Sequence, residues 1–352
     1  KVDQQGNQDR RIMSDSDERD VLRAETEEED DPERKEKISG QDDQLKPWPL
    51  TQDMMVKSLS LLCRTGNGLS HAYVRLDLKS KGLTDLALLS SFIHLRYLDI
   101  SSNHLSDFSP LADLTQLLWV KGDGNHLQRF EGQPFGKLTY LQWLSFANNR
   151  LFDVKGFGGP ALETLNLTGN GIQSMQGLEY HNLTNLVTLE LRGNCLETTD
   201  GICLPNLRHL YLAQNNIKRL EGLEKLQHLS TLHLRDNQLE TLDGLSPNMK
   251  SLQYLNVRGN LISSMRALQT LVNVGQTLKA LVLSDNPLAK TDDYRLYVIS
   301  HLSQLERLDK DPITPGEKSE AQEKVTFHLK GEQDRQPDAY CEENKKMHLI
   351  AT

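Results

Sequence analysis

Leucine and polar residues alternate along most of the chain in a frame that repeats. The frame is LxxLxLxxNxL, read as LRYLDISSNHL at 95–105 and as LRHLYLAQNNI at 207–217. A degenerate copy, YVRLDLKSKGL, occupies 73–83, and further copies begin at residues 117, 141, 162, 186, 229, 252 and 278. Successive frame asparagines are 21 to 26 residues apart. The chain is therefore built from about ten similar units.

Each unit is predicted to contribute one β-strand. In the xxLxLxx segment every second residue is apolar, which is typical of a strand with one buried face. The asparagine follows the strand, where its side chain can bond backbone groups that would otherwise be buried without partners. The connecting segments, such as 217–229, are too short for a helix in every unit, and we expect turns and 3₁₀ segments there. The pattern is the leucine-rich repeat, and it predicts an α/β solenoid, or horseshoe, over residues 73–290 with a parallel sheet on its concave face.

A helical cap is expected at the N-terminal end of the repeats, over residues 48–72, because the terminal unit would otherwise leave the stacked core open. Thr51 has the chemistry of a helix N-cap. Apolar residues then recur at helical spacing as far as Cys63, and residues 66–68, Gly-Asn-Gly, are expected to end the helix.

A second cap is expected over residues 291–312. A helix starting after Thr291 would carry Tyr294, Val298 and Leu302 on one face, which could close the core. Prolines at 312 and 315 are expected to end the ordered body.

Hydrophilic tails flank this body. Residues 1–47 carry 9 Lys+Arg against 16 Asp+Glu, whereas 57 of the chain's 62 leucines lie between residues 51 and 310. The first segment is therefore predicted to be a disordered acidic tail, and residues 313–352 to be mostly disordered. Ser14 and Ser16 lie among acidic residues and are candidate kinase sites, although a solvated tail explains the same composition.

Composition and motifs argue against several functions. The net charge of −9 disfavours nucleic-acid binding, and no run of 18 apolar residues predicts a membrane span. The four cysteines are scattered without a CxxC pair, so we expect free thiols, cytoplasmic localisation and no metal or cofactor. His233, Arg235 and Asp236 are close in sequence, but no nucleophile accompanies them. We therefore do not predict an enzymatic activity for this protein.

Aromatic residues are predicted to line part of the concave face. Tyr97, Trp119 and Trp143 occupy the same frame position in three successive units. Because adjacent strands lie about 4.8 Å apart, the three rings should form a ladder open to solvent. Exposed aromatic clusters often mark sites of protein interaction. The alternative is that a cap, loop or tail covers them.

Basic residues are predicted along the distal half of the same face. Arg192, Arg235 and Arg258 share the position after the second strand leucine, and an acidic partner segment could bond them. Cross-strand salt pairing on a solvated sheet is an equally good interpretation. The remaining candidate partner-binding residues in this half are His209, Tyr211 and Tyr254.

A short motif lies in the C-terminal tail. Residues 324–327 read Lys-Val-Thr-Phe, which resembles the docking motif of protein phosphatase 1 ligands. Val325 and Phe327 would be the two apolar anchors of an added strand. Motifs of four residues often match by chance.

Several longer segments resemble a known family. They include LTQDMMVKSLSLLCRTGNGLSHAYVRLDLK at 50–79, LYLAQNNIKRLEGLEKLQHLSTLHLRDNQLETLDGL at 210–245 and LERLDK at 305–310. Over roughly residues 48–310 the chain is similar to leucine-rich-repeat proteins of ciliary radial spokes. The resemblance implies a non-catalytic scaffold of the third radial spoke, in the axoneme of motile cilia and sperm flagella. Its implied partners are the stalk and head subunits of the spoke.

The alternative function is that of a regulatory subunit of a phosphatase 1-type enzyme. Nuclear SDS-type repeat proteins share the repeat length and the LEGLEKL phrase at 220–226. A spoke protein should be restricted to ciliated cells and testis, whereas a phosphatase regulator should be present in most tissues.

Overall fold

The computed structural model describes residues 46–66, 68–292 and 294–333, with side chains described as far as residue 324. In this part of the chain thirteen strands form one sheet in chain order. Pairing is parallel from β2 to β12 and antiparallel at both ends. The strands are β1 Leu59–Arg64, β2 His71–Asp77, β3 Tyr97–Asp99, β4 Trp119–Lys121, β5 Trp143–Ser145, β6 Thr164–Asn166, β7 Thr188–Glu190, β8 His209–Tyr211, β9 Thr231–His233, β10 Tyr254–Asn256, β11 Ala280–Val282, β12 Arg307–Leu308 and β13 Asp311–Pro312.

The frame leucines form the core, as predicted. Each of the strands β2 to β11 comes from one copy of the frame, and the central residues pair laterally, for example Leu165 with Leu189 and Leu189 with Leu210. These leucines have no solvent exposure. The leucine-rich-repeat solenoid is thereby confirmed. One apolar core runs the length of the sheet because each strand contributes to the same row.

The frame asparagines connect each unit to the one before it. Asn194 donates from Nδ2 to the carbonyls of Leu167 and Leu191, at 2.9 and 3.0 Å, and its Oδ1 accepts from the Ile172 N–H at 3.1 Å. The bonds to Leu167 and Ile172 reach the preceding unit. The same arrangement is repeated at Asn103, Asn125, Asn149, Asn170, Asn215, Asn237, Asn260 and Asn286.

Short 3₁₀ segments occupy the convex side, as the connection lengths predicted. Three-residue and five-residue segments predominate, since the connections leave room for little more than one turn. They are Ala87–Ser91, Ser109–Asp113, Phe135–Lys137, Tyr180–Asn182, Leu223–Lys225, Met265–Asn273 and Pro287–Lys290.

The N-terminal cap differs from the predicted single helix. Helix α1, Gln52–Ser58, begins as predicted with the Thr51 hydroxyl accepting from the Met54 N–H at 3.3 Å. The prediction of a helix as far as Cys63 is wrong, because β1 begins at Leu59 and pairs antiparallel with β2. A strand here satisfies the backbone at the open edge of the sheet, which a longer helix would leave without partners. The glycines at 66 and 68 therefore belong to a hairpin turn.

The C-terminal cap contains the predicted helix, here α2, Tyr294–His301, with Val298 and Leu302 buried. The prediction of a mostly disordered tail is wrong for the following segment, since α3 spans Pro315–Gln333. Glu317 caps its first turn by accepting from the backbone and hydroxyl of Thr314, and it also binds Arg295 of α2 at 2.7 Å. Residues 1–45 and 334–352, with Ser14 and Ser16, lie outside the described residues.

Leu189→Ala should destabilise the solenoid by about 2–5 kcal/mol, because it opens a cavity in a core position without solvent exposure. Chemical denaturation measures the change, with Thr188→Ala on the adjacent, half-buried face as the control. An unchanged free energy of unfolding for Leu189→Ala would contradict the inward assignment.

Lowering the pH should weaken the attachment of α3 to α2, which depends on the bond between Glu317 and Arg295. The Arg295 guanidinium, with the Thr314 backbone, lowers the pKa of Glu317 to about 2. A carboxyl with a lowered pKa stabilises the fold above its unfolded pKa of about 4.3, and this contribution is lost as the pH falls towards 2. Glu317→Gln should therefore speed amide exchange at the start of α3 about tenfold at pH 7, whereas Glu320→Gln should leave it unchanged. Equal exchange rates in the unmodified protein and in both variants would show that Glu317 does not hold the start of α3 in place.

Candidate partner-binding face

Two tryptophans form a stack on the concave face. Trp119 and Trp143 pair in register on β4 and β5, with ring centroids 4.6 Å apart and planes 10° apart. Because this separation matches the spacing of the strands, the rings stand side by side across the sheet. Tyr97 pairs in register with Trp119 and is 37% exposed. The three predicted residues are thus brought together, although the tryptophans are half-buried in their stack.

Phenylalanines pack beneath the tryptophan strands. Phe146, directly after β5, contacts Phe108 and Phe135 edge-on at centroid distances of 4.9 and 5.1 Å. Gly122, after β4, leaves room for this cluster, since a Cβ there would lie 2.4 Å from the Phe146 ring. The tight packing holds β4 and β5 in place under the half-buried tryptophan stack.

The aromatic surface extends into the N-terminal hairpin, which the sequence did not predict. Tyr73 lies two residues before Arg75 on β2, on the same face as Tyr97, and it pairs with Leu62 of β1. Leu62 is 57% and Tyr73 48% exposed. The helical spacing of apolar residues up to Cys63 predicts Leu62 on the buried face of a cap helix. Only the hairpin places it on the concave side.

A second aromatic stack occupies the distal half. The His233 ring lies 4.9 Å from both the Tyr211 and the Tyr254 rings, at 36° and 26°. Tyr211 and Tyr254 were predicted binding residues, and His209 lies on the same strand as Tyr211. His233 was considered only for catalysis. Its in-register pairing with Tyr211 follows from the repeat frame and could have revealed the stack.

The three predicted arginines are bonded to neighbours on the sheet. Arg258 Nε donates to Asp285 at 2.6 Å, and Arg235 Nε donates to Asp236 at 3.0 Å. Arg192 Nε donates to Gln214 at 3.1 Å. Cross-strand salt pairing, one of the two interpretations left open, therefore occurs at Arg258, whereas Arg235 pairs with the next residue of its own unit. Such partly exposed pairs contribute little stability, and they reduce the positive charge of this half.

One carboxylate, Glu190, lies between the two stacks, and a second, Asp123, follows the strand that carries Trp119. Burial raises the pKa of Glu190 on β7, and the Asp123 carboxylate raises it further. Asp123 accepts from the Ser145 hydroxyl and from the Ala147 N–H, and Lys121 Nζ lies 3.6 Å away. Glu190 and Asp123 therefore place negative charge beside the tryptophan stack, with Lys121 as the nearby cation.

Other kinds of site find little support in the described part of the chain. No three His, Cys, Asp or Glu side chains among those residues are grouped so that they could hold a metal ion. Over the same residues no helix is long and apolar enough to cross a membrane. The motif at 324–327 lies within α3, and the side chains of Val325 and Phe327 are outside the described set.

Solved structures share the fold. A leucine-rich-repeat protein of Leptospira interrogans is 24% identical, with a TM-score of 0.50 over 67% of this chain and 72% of that chain. The repeat ectodomain of the Arabidopsis thaliana receptor kinase GASSHO1/SCHENGEN3 is also 24% identical, with a TM-score of 0.50 over 77% of this chain and 33% of that chain. These likenesses show the solenoid fold.

Family models and relatives identify the family. Leucine-rich-repeat models match residues 179–336 and 93–107. Leucine-rich repeat-containing protein 23 of Homo sapiens is 48% identical over 86% of this chain and 87% of its own length. The Mus musculus protein of that name is 49% identical over 91% and 95%, and the Xenopus tropicalis protein is 50% identical over 78% of each chain. The protein is a leucine-rich-repeat protein of the interaction-scaffold type, and it belongs to the leucine-rich repeat-containing protein 23 family.

Proposed function

We propose that this protein is a non-catalytic scaffold of the axonemal radial spoke, specifically the third spoke, in motile cilia and sperm flagella. Its concave face binds other spoke proteins and so supports motility. The observation that carries the proposal is an apolar surface on the concave side, formed by the exposed Leu62, Tyr73 and Tyr97 and the half-buried Trp119 and Trp143. The resemblance of residues 48–310 to radial-spoke proteins supplies the axonemal setting.

The aromatic surface fits a lasting protein interface. The solenoid needs apolar residues only on the inward side of its strands, and the concave positions of most other units are polar. Large aromatic side chains, and tryptophan above all, dominate the binding energy of protein interfaces. The stack on β4 and β5 is also held rigidly by the phenylalanines beneath it, so little side-chain entropy is lost on binding.

Docking of protein phosphatase 1 through Val325 and Phe327 stays a separate prediction. That mode adds an extended strand to the partner, whereas the backbone of residues 324–327 is helical within α3. Docking would therefore first require that part of α3 to unwind, and no feature of the described residues favours it over the scaffold.

Trp119→Ala combined with Trp143→Ala should leave the fold intact and reduce incorporation into the axoneme at least tenfold, because both rings lie on the binding face. Quantitative blotting of axonemes from rescued ciliated cells measures this. The matched control is Tyr140→Ala with Tyr180→Ala, two exposed aromatics outside the strands. Normal incorporation of the tryptophan variant would remove the stack from the interface.

The tagged full-length chain should be found along the axoneme and should resist extraction by mild salt, because a built-in scaffold holds several partners at once. Imaging and stepwise salt extraction of ciliated cells test this. A diffuse cytosolic or nuclear pool would refute the axonemal role, and co-precipitation with a phosphatase would then become the next measurement.

A further inference from the structure

The two aromatic stacks enclose a trough on the concave face. Trp143 on β5 forms one wall, and Tyr211 on β8, with His209 beside it, forms the other. The strands between them, β6 and β7, present Thr164, Asn166, Thr188 and Glu190, all half-buried and none aromatic. We call these four residues the floor of the trough.

The trough has the width of an α-helix. The strands that carry its walls are three intervals apart, which is about 14 Å at the usual strand spacing. The rings take up part of that distance, so the free width is close to the 10–12 Å diameter of a helix with its side chains. A single extended segment would be too narrow to contact both walls.

The carboxylates near the trough indicate that its occupant carries a basic side chain. The Glu190 carboxylate is partly removed from water, and the nearby Asp123 carboxylate repels it. A basic side chain placed between them would offset both costs. Arg192 on the same strand donates to Gln214, and Lys121 lies on the side of the tryptophan wall, 3.6 Å from Asp123.

We propose that this trough binds an α-helix of a partner protein, with the helix axis along the strands. Short side chains of the helix lie over Thr164 and Thr188, apolar ones contact Trp143 and Tyr211, and a lysine or arginine meets Glu190 and Asp123. The inference rests on the proposed function, since the helix belongs to a partner that the scaffold holds. Helix-in-groove recognition of this kind uses one apolar face with charged flanks.

Photo-crosslinking tests the orientation and conformation of the occupant. The probe is a benzophenone amino acid placed at Thr164 or Thr168 of the full-length chain in ciliated cells. Thr164 is the first residue of β6, and Thr168 lies in the turn two residues after that strand ends, so at most about 13 Å separates them. A helix along the strands places cross-linked residues about eight or nine apart in the partner, whereas an extended segment places them about four apart.

Substitutions test the floor itself. Thr188→Trp fills the trough, yet the sheet should tolerate it because the same frame position carries tryptophan on β4 and β5. Glu190→Lys places a positive charge against the basic residue of the helix. Each should lower the cross-link yield at least tenfold with an unchanged melting temperature. Ala280→Trp and Asp77→Lys make the same changes on strands outside the trough and should leave the yield unchanged.

The results separate this inference from the proposed function. Cross-links eight or nine residues apart, flanking a lysine or arginine and lost in Thr188→Trp, would support the trough wherever the chain is located. Spacing of about four, a site without a basic residue, no cross-link, or a yield unaffected by Thr188→Trp would overturn it. If the tryptophan double variant still abolished incorporation in that case, the scaffold role would stand without the trough. Cross-linking of the expected kind outside the axoneme would instead refute the spoke role alone.

Discussion

The hydrogen bonds of the frame asparagines hold the repeating units of this structure in register. Each side chain bonds backbone groups of its own unit and of the unit before it, as Asn194 does with Leu191, Leu167 and Ile172. Buried amides without partners would be costly, so the turn after each strand is held in one geometry. With the turn fixed, each strand lies beside the same residues of its neighbour. The concave surface is therefore a grid in which position along the frame and unit number determine every contact.

Because the strands pair in register, residues far apart in sequence form continuous surfaces. Trp119 and Trp143 are in different units, yet their rings stack at 4.6 Å because their strands pair in register. The same rule brings Tyr211 beside His233. On a mobile backbone, the cost of ordering the rings would offset the binding proposed for the two stacks. The solenoid thus supplies rigidity, and the frame positions that its core does not need carry the chemistry.

The two ends of the sheet are closed by antiparallel strands instead of by further repeat units. Strands β1 and β13 reverse direction and pair antiparallel, which gives the terminal parallel strands a backbone partner. After β13, Glu317 caps α3 through Thr314 and joins that helix to Arg295 of α2. Because the N-terminal hairpin also carries Leu62 and Tyr73, the cap extends the apolar surface proposed to bind partners.

The sequence by itself determined the solenoid, the inward leucines, the structural asparagines and the column of Tyr97, Trp119 and Trp143, because a strict repeat makes lateral neighbours predictable from spacing alone. Tertiary structure decided what repetition does not encode. Residues 59–64 fit a helix by periodicity, but the open sheet edge makes them a strand. The arginines formed a basic row in sequence, but side-chain geometry bonds Arg258 to Asp285. The width of the trough depends on the orientation of the side chains that form its two walls, three strand intervals apart. Packing in three dimensions, and not the repeat pattern, determines that orientation.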